Sequence, residues 1–178
     1  MRKILYYSLL VIALGFFSCE EHPKVVEQKK PRIFPEYSEA LDEIIRSKDG
    51  VIRGVDLNSK ADVITKTETK QPSEVAHDYL YFEYTIDSIT NYSVAYNLQK
   101  DSLDEVEVQI NCNDLDLSSH LFNDLKTYYE KKLPNPTEDK GFVVYNCFEG
   151  QRKPFVVSLT DNSTPNMGII NLVIYKDK

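Results

Sequence analysis

The sequence predicts one α+β domain, in which two α-β-β-β units form a mostly antiparallel six-stranded sheet with helices packed on one face. Three observations lead to this prediction. Short segments rich in β-branched and aromatic residues alternate between apolar and polar positions, which is typical of strands with one buried face. A helical segment precedes each group of three such strands, and the connections within each group have hairpin length. A chain of 178 residues has room for one such domain behind a leader and a tether.

The first 18 residues predict an export leader. Residues 1–3 are basic, and 4–17 form a 14-residue apolar stretch, whereas a membrane-spanning helix needs about 20 residues. The leader resembles a lipoprotein signal peptide, because Ser18 and Cys19 match the small residue and the obligatory cysteine of a lipobox, although Phe16 replaces the usual leucine. The resemblance implies cleavage before Cys19, acyl chains on that cysteine and an outer-membrane anchor, with periplasmic or cell-surface orientation left open. The alternative is an ordinary secretory leader followed by an unrelated cysteine.

A tether and a weak helix are predicted between the leader and the domain. Residues 19–36 are charged and interrupted by three prolines, which indicates a lipidated cysteine followed by a flexible tether. Residues 37–50 predict a short, weak helix with Leu41, Ile44 and Ile45 on one side. The tandem α/β domain is then expected to occupy 51–178.

The first predicted unit covers 52–112. It starts with a helix over 60–68, before which Ser59 and Asp62 have the spacing of a capping box. Three strands follow, each with alternate residues directed toward the core. These inward residues are Leu80, Phe82, Tyr84 and Ile86, then Tyr92, Val94, Tyr96 and Leu98, then Val106, Val108, Ile110 and Cys112.

The second predicted unit covers 113–178. A longer helix follows Asp116, carries one apolar stripe and stops at Pro134, and strands are expected over 141–148, 155–160 and 169–175. This order of elements, with the segment Ile52-Arg53-Gly54-Val55-Asp56-Leu57 ahead of the first helix, resembles two groups of proteins. One is the β-lactamase inhibitor protein, and the other is the small lipoproteins of the outer-membrane barrel-insertion machinery. The resemblance implies a fold and a binding role, and no active site.

The charge of the chain argues against nucleic acid as a partner. Two of the 21 basic residues lie in the leader, which leaves 19 against 28 acidic residues and a net charge of −9 in the mature chain. A nucleic-acid-binding protein has the opposite sign, and anionic head groups would repel this chain. We therefore expect membrane attachment through lipid alone. No cofactor is predicted, and the oligomeric state is left open.

Few residues have the spacing of a chemical site. His22, His77 and His120 lack metal-ligand spacing, so no metal and no catalytic residue is predicted. Cys112 and Cys147 are the two thiols of the mature domain, and they predict either a disulfide or two buried free cysteines. Ser88 and Ser102 stand in Asp-Ser-apolar triplets, which resemble the acceptor for periplasmic O-glycosylation in some Gram-negative bacteria.

The outward side chains of the first three strands form the candidate binding face. Because several of them are acidic, we expect either a protein partner with a basic patch or a merely solvated sheet surface. The residues are Tyr81, Glu83, Thr85, Ser93, Asn97, Glu105, Glu107 and Gln109. The sequence thus predicts a lipid-anchored, non-enzymatic protein-binding module of the cell envelope, with an inhibitor-like role. The alternatives are an accessory lipoprotein of envelope assembly and a hydrolase whose site is assembled in space.

Overall fold

The computed structural model describes residues 31–133, 135–147 and 154–177. The predicted leader and Cys19 lie outside this part of the chain. The described residues form three helices and eight strands. They are α1 (Glu39–Ile45), α2 (Ala61–Thr67), β1 (Glu74–Ala76), β2 (Tyr79–Thr85), β3 (Thr90–Gln99), β4 (Ser102–Cys112), α3 (Leu115–Lys132), β5 (Thr137–Asp139), β6 (Phe142–Cys147), β7 (Phe155–Asp161) and β8 (Gly168–Lys176).

All eight strands belong to one antiparallel sheet in the order β1-β2-β3-β4-β8-β7-β6-β5. The α+β class was predicted correctly. The prediction of six strands in two α-β-β-β units was wrong, because the described residues form one sheet of eight strands. The central strands β4 and β8 pair over eight residues, from Glu105 with Tyr175 to Cys112 with Gly168, so the sheet is continuous. The additional strands, β1 and β5, have three residues each and lie at the two edges. Their sequences, Glu-Val-Ala and Thr-Glu-Asp, are too short to reveal alternation.

The helices and the inward side chains of the sheet share one hydrophobic core. Phe82, Val94 and Val108, which were predicted to face the helices, are at most 1% exposed. Leu121 and Leu125 of α3 and the apolar side of α1 are buried in the same cluster. The opposite face of the sheet carries no helix within the described residues, and this leaves its side chains available.

Two helix starts differ from the prediction. The N-cap of α3 is Asp114, whose Oδ1 accepts from the backbone N–H of Leu117 at 3.0 Å, so this helix begins earlier than predicted. The predicted capping box of α2 is wrong, because its N-cap is Lys60, which makes no side-chain cap. Ser59 instead accepts from the N–H of Asp56 at 3.2 Å and closes the turn ahead of the helix.

Residues 31–36 pack against the domain, ahead of the residues predicted to belong to it. Phe34 is only 4% exposed, and its ring meets Tyr128 edge-on at 5.3 Å. Arg32 donates to the Asp42 carboxylate of α1 at 3.0 Å and ties the segment to the domain. Residues 31–36, which were predicted as the end of the tether, thus contact the folded domain, and the rest of the predicted tether lies outside the described residues. Residues 31–178 form one compact unit that contains the whole described core.

Candidate functional site

The eight outward residues predicted as a binding face lie together on the uncovered side of β2, β3 and β4. Directly opposed residues of antiparallel strands share a face. Tyr81 faces Ala95, which in turn faces Glu107. The two neighbouring rows of the ladder are Glu83, Ser93 and Gln109, then Tyr79, Asn97 and Glu105. We call this surface the β2–β4 face. The predicted placement of these side chains is confirmed, and their role in binding stays a prediction.

One amide on this face donates to two carboxylates. Asn97 Nδ2 donates to Glu105 Oε1 at 2.9 Å and to Glu107 Oε1 at 3.1 Å. Burial raises the pKa of Glu107, and the neighbouring Glu105 raises it further. Among the described residues, neither carboxylate is paired with a lysine or an arginine. The β2–β4 face therefore carries negative charge that no described lysine or arginine neutralises.

The β2–β4 face also carries a stacked pair of tyrosines and two shallow cavities. Tyr79 and Tyr81 stack with ring centroids 5.9 Å apart and planes 18° apart. A cavity of about 250 Å³ over Ala95 is bounded by Tyr79, Tyr81, Ser93, Asn97, Glu107 and Gln109. Beside it, a cavity of about 400 Å³ over Ser93 extends toward Thr85. Sequence reasoning left Tyr79 and Ala95 out of the face, although alternation along β2 and β3 would have included both.

Beyond β4 the uncovered side of the sheet becomes more apolar. Val173 continues the row that contains Glu107, and Ser158 and Val144 follow it on β7 and β6. Phe142 at the far end is 43% exposed. The sequence prediction did not extend the face to these strands, because their apolar runs lack clean alternation. Glu83, Glu105 and Glu107 are thus all on the β2–β4 half of this side of the sheet.

The two thiols are free and lie at opposite ends of the sheet. Cys112 pairs with Gly168 at the start of β8, whereas Cys147 pairs with Phe155, which pairs with Lys176 at the end of β8. Eight residues of strand separate these ends by about 27 Å, and a disulfide needs Cα atoms within about 7 Å. Of the two predicted alternatives, the disulfide does not fit this strand order, and both cysteines are free, Cys112 buried and Cys147 half-buried. The strand order that separates the cysteines was not visible in the sequence.

A buried ion pair lies behind the β2–β4 face, on the helix side of the sheet. Both Arg53 and Glu68 have side chains at most 1% exposed, and Arg53 Nε and Nη2 donate to the two Glu68 oxygens at 2.8 and 2.7 Å. Tyr84 donates to Glu68 Oε2 at 2.6 Å, and Tyr96 donates to Oε1. Because these tyrosines belong to β2 and β3, the ion pair connects the helix layer to the strands that carry the candidate site.

The same contacts determine the protonation of Glu68. Burial by itself would raise the pKa of Glu68, but the hydrogen bond and the charge of Arg53 outweigh burial, and Tyr84 and Tyr96 add to their effect. The pKa of Glu68 is therefore below its ordinary value, and the carboxylate stays ionised. We regard this cluster as a structural support, because its donors and acceptors satisfy one another.

The two predicted O-glycosylation residues differ in accessibility. Ser88 is exposed in the turn between β2 and β3, where Asp87 Oδ1 accepts from the N–H groups of Ile89 and Thr90 at 2.8 and 2.7 Å. Ser102 is half-buried in β4, and its Oγ accepts from Lys60 Nζ at 3.0 Å. Modification of either residue stays a prediction, and Ser88 is the more accessible acceptor. Added hexose in the intact mass of native protein would test it.

The described histidines are not part of the β2–β4 face. His77 and His120 are exposed, and neither borders a cavity of the β2–β4 face. Within the described part of the chain, no three histidine, cysteine, aspartate or glutamate residues are grouped to hold a metal ion. The helices of that part are also too short or too polar to cross a membrane.

Comparison with known protein families, with curated proteins and with solved structures found no significant match for this chain. The resemblance to the β-lactamase inhibitor protein and to assembly lipoproteins stays an expectation. Function must therefore be inferred from the geometry of this chain.

Proposed function

We propose that this protein is a lipid-anchored, non-enzymatic binding module of the cell envelope, which captures a protein partner with a basic patch on its β2–β4 face. The observation that carries the proposal is the uncompensated charge of Glu105 and Glu107 on a sheet surface that no described helix covers. The stability of the sheet does not require these two carboxylates. Lysine or arginine side chains of a partner would neutralise them.

The proposed anchor is compatible with the start of the folded domain. Cys19 would carry the acyl chains, and residues 20–30 would separate it from the domain, which begins at Pro31. These eleven residues reach about 40 Å when extended, enough to hold the domain away from the lipid head groups. Replacing Cys19 by alanine is expected to release the protein from the membrane fraction, with loss of the acyl mass.

The partner role is tested by capture from the native envelope, followed by mass spectrometry. The test variant is E83Q/E105Q/E107Q, which removes charge from the β2–β4 face without changing side-chain size. The matched control is E36Q/D49N/D56N, which removes the same charge from exposed positions elsewhere. We expect the first variant to lose the partner and the control to keep it. Capture should also weaken with salt, because the Debye length falls from about 8 Å at 0.15 M to about 3 Å at 1 M.

The identity of a face-dependent partner separates the two roles within this class. A stoichiometric enzyme would favour an inhibitor-like role, and outer-membrane assembly proteins would favour an accessory role. Equal capture by the test variant and the control would contradict the proposal, as would the absence of any specific partner. In either case, hydrolase assays on the mature chain would become the next experiment.

A further inference from the structure

Ala95 has the smallest side chain on the β2–β4 face and lies near its centre. It faces Tyr81 on one neighbouring strand and Glu107 on the other. Neighbouring strands are about 4.8 Å apart. Tyr81 and Glu107 are therefore separated by about 10 Å with only a methyl group between them. This gap is the cavity of about 250 Å³ described above.

The walls of this cavity combine an aromatic surface with a carboxylate. The stacked rings of Tyr79 and Tyr81 form one wall, and Glu107 with Gln109 forms the other. A guanidinium group matches both, because its plane stacks on a tyrosine ring while its N–H groups donate to a carboxylate. An apolar side chain would leave Glu107 unpaired and further desolvated, which is costly.

The two cavities of this face differ in the carboxylate that borders them. Glu83 borders the cavity over Ser93, whereas Glu107 borders the cavity over Ala95. The lining of the Ala95 cavity contains no basic residue, and the carboxylate of Glu105 adds to that of Glu107. A cation in the Ala95 cavity would also relieve the repulsion between these two glutamates.

We infer that the Ala95 cavity binds an arginine side chain from an extended segment of the partner, an inference that rests on the proposed function. Ser93 lies two residues before Ala95 on β3, about 6.7 Å away along the strand. Alternate side chains of an extended peptide have the same spacing. A segment that lies along β3 can thus place arginine over Ala95 and a polar residue over Ser93.

The inference is tested with residues 31–178 and two blocked peptides, acetyl-Thr-Arg-Thr-amide and its citrulline analogue, which is similar in shape and uncharged. Binding is followed at low salt by the amide chemical shifts of the ¹⁵N-labelled protein. We expect shifts centred on Ala95 and Glu107, and an affinity at least tenfold lower for the citrulline peptide. A95L fills the cavity without changing charge, and E107Q removes the carboxylate. Each is expected to weaken binding of the arginine peptide at least tenfold.

The control is S158L, which adds the same side chain to the same face, two strands beyond Glu107. It should leave peptide binding unchanged. Absence of shifts with the arginine peptide, or equal binding by A95L and by the control, would overturn the inference. The proposed function would survive that result if the envelope partner is still lost in E83Q/E105Q/E107Q and kept in A95L. If the proposed function itself is wrong, E83Q/E105Q/E107Q and A95L will both capture the same proteins as the unsubstituted chain.

Discussion

At the scale of single residues, Arg53 joins parts of the chain that are far apart in sequence. Its guanidinium binds Glu68 after α2, and its Nη1 donates to the carbonyls of Glu43 and Ile44 in α1 at 2.9 and 3.0 Å. The same Nη1 lies 3.1 Å from the Tyr92 hydroxyl of β3. Burial of two charges is expensive, so the pair is stabilising only while both members are present.

Glu68→Gln is expected to lower the free energy of unfolding by about 3 kcal/mol, because it leaves the charge of Arg53 buried and unneutralised. Urea denaturation with circular dichroism measures the change. Glu83→Gln is the control, since Glu83 is exposed and no described lysine or arginine side chain forms an ion pair with it. Its effect should stay within about 0.5 kcal/mol. Equal effects of the two substitutions would show that the buried pair contributes nothing specific.

The direction in which the unfolding free energy changes with pH follows from the lowered pKa of Glu68. A carboxyl whose pKa is lower in the folded state stabilises the protein above its unfolded pKa, which is about 4.3. This contribution is lost as the pH falls through the folded-state pKa. We therefore expect the unfolding free energy to decrease below about pH 4.3, and to decrease less steeply in Glu68→Gln. Urea titrations between pH 3 and pH 7 measure both slopes.

At the scale of elements, the β3–β4 hairpin has a turn geometry that its residues do not favour. Lys100 and Asp101 form the two-residue connection, and both have positive φ angles, 52° and 60°. Asn-Gly is the preferred pair for such a turn, because side chains with a branched or long stem are strained at positive φ. The hairpin is held by the ladder on both sides of the turn rather than by the turn itself.

Replacing Lys100-Asp101 by Asn-Gly should stabilise the protein by about 1 kcal/mol, since both residues then suit the turn. The melting temperature and the urea midpoint would report the gain. A Lys100→Ala, Asp101→Ala variant removes the same charges while keeping the strain, so it should show no gain. Stabilisation by the alanine pair as well would attribute the effect to charge and not to backbone geometry.

At the scale of the whole molecule, the single sheet separates two kinds of surface. Helices and the buried ion pair occupy one side, and the β2–β4 face occupies half of the other. The same sheet separates the two thiols by most of the length of β8. The chain therefore gains its stability from one core, without a covalent cross-link between Cys112 and Cys147.

Thiol titration of residues 31–178 tests this arrangement without a reductant. Cys147 is half-buried and should react with a disulfide reagent in the native state, whereas Cys112 is 1% exposed and should react only after unfolding. We expect one thiol in native buffer and two in denaturant. Zero thiols in denaturant would indicate the disulfide that this strand order excludes.

Period-two alternation was sufficient to predict the face of β2, β3 and β4, because alternate positions such as Phe82 and Glu83 differ strongly in polarity. Alternation could not reveal β1 or β5, which are too short to show a period. Nor could it reveal the Arg53–Glu68 pair, because both residues lie outside strands and meet only through tertiary packing. The sequence signal for the cavity over Ala95 is weaker. It is a small residue between Val94 and Tyr96, and it indicates a cavity only when the neighbouring strands are known.

The three-residue edge strands have a consequence for a protein that would be concentrated in the plane of a membrane. Molecules confined to two dimensions collide often, and a long unpaired sheet edge invites them to join into fibres. Here each edge strand has only three residues, all exposed, with Glu74 in one and Asp139 in the other. Such edges offer little backbone to a second copy and repel it by charge. Crowding would therefore be expected to leave neighbouring copies as separate molecules, rather than fuse their sheets.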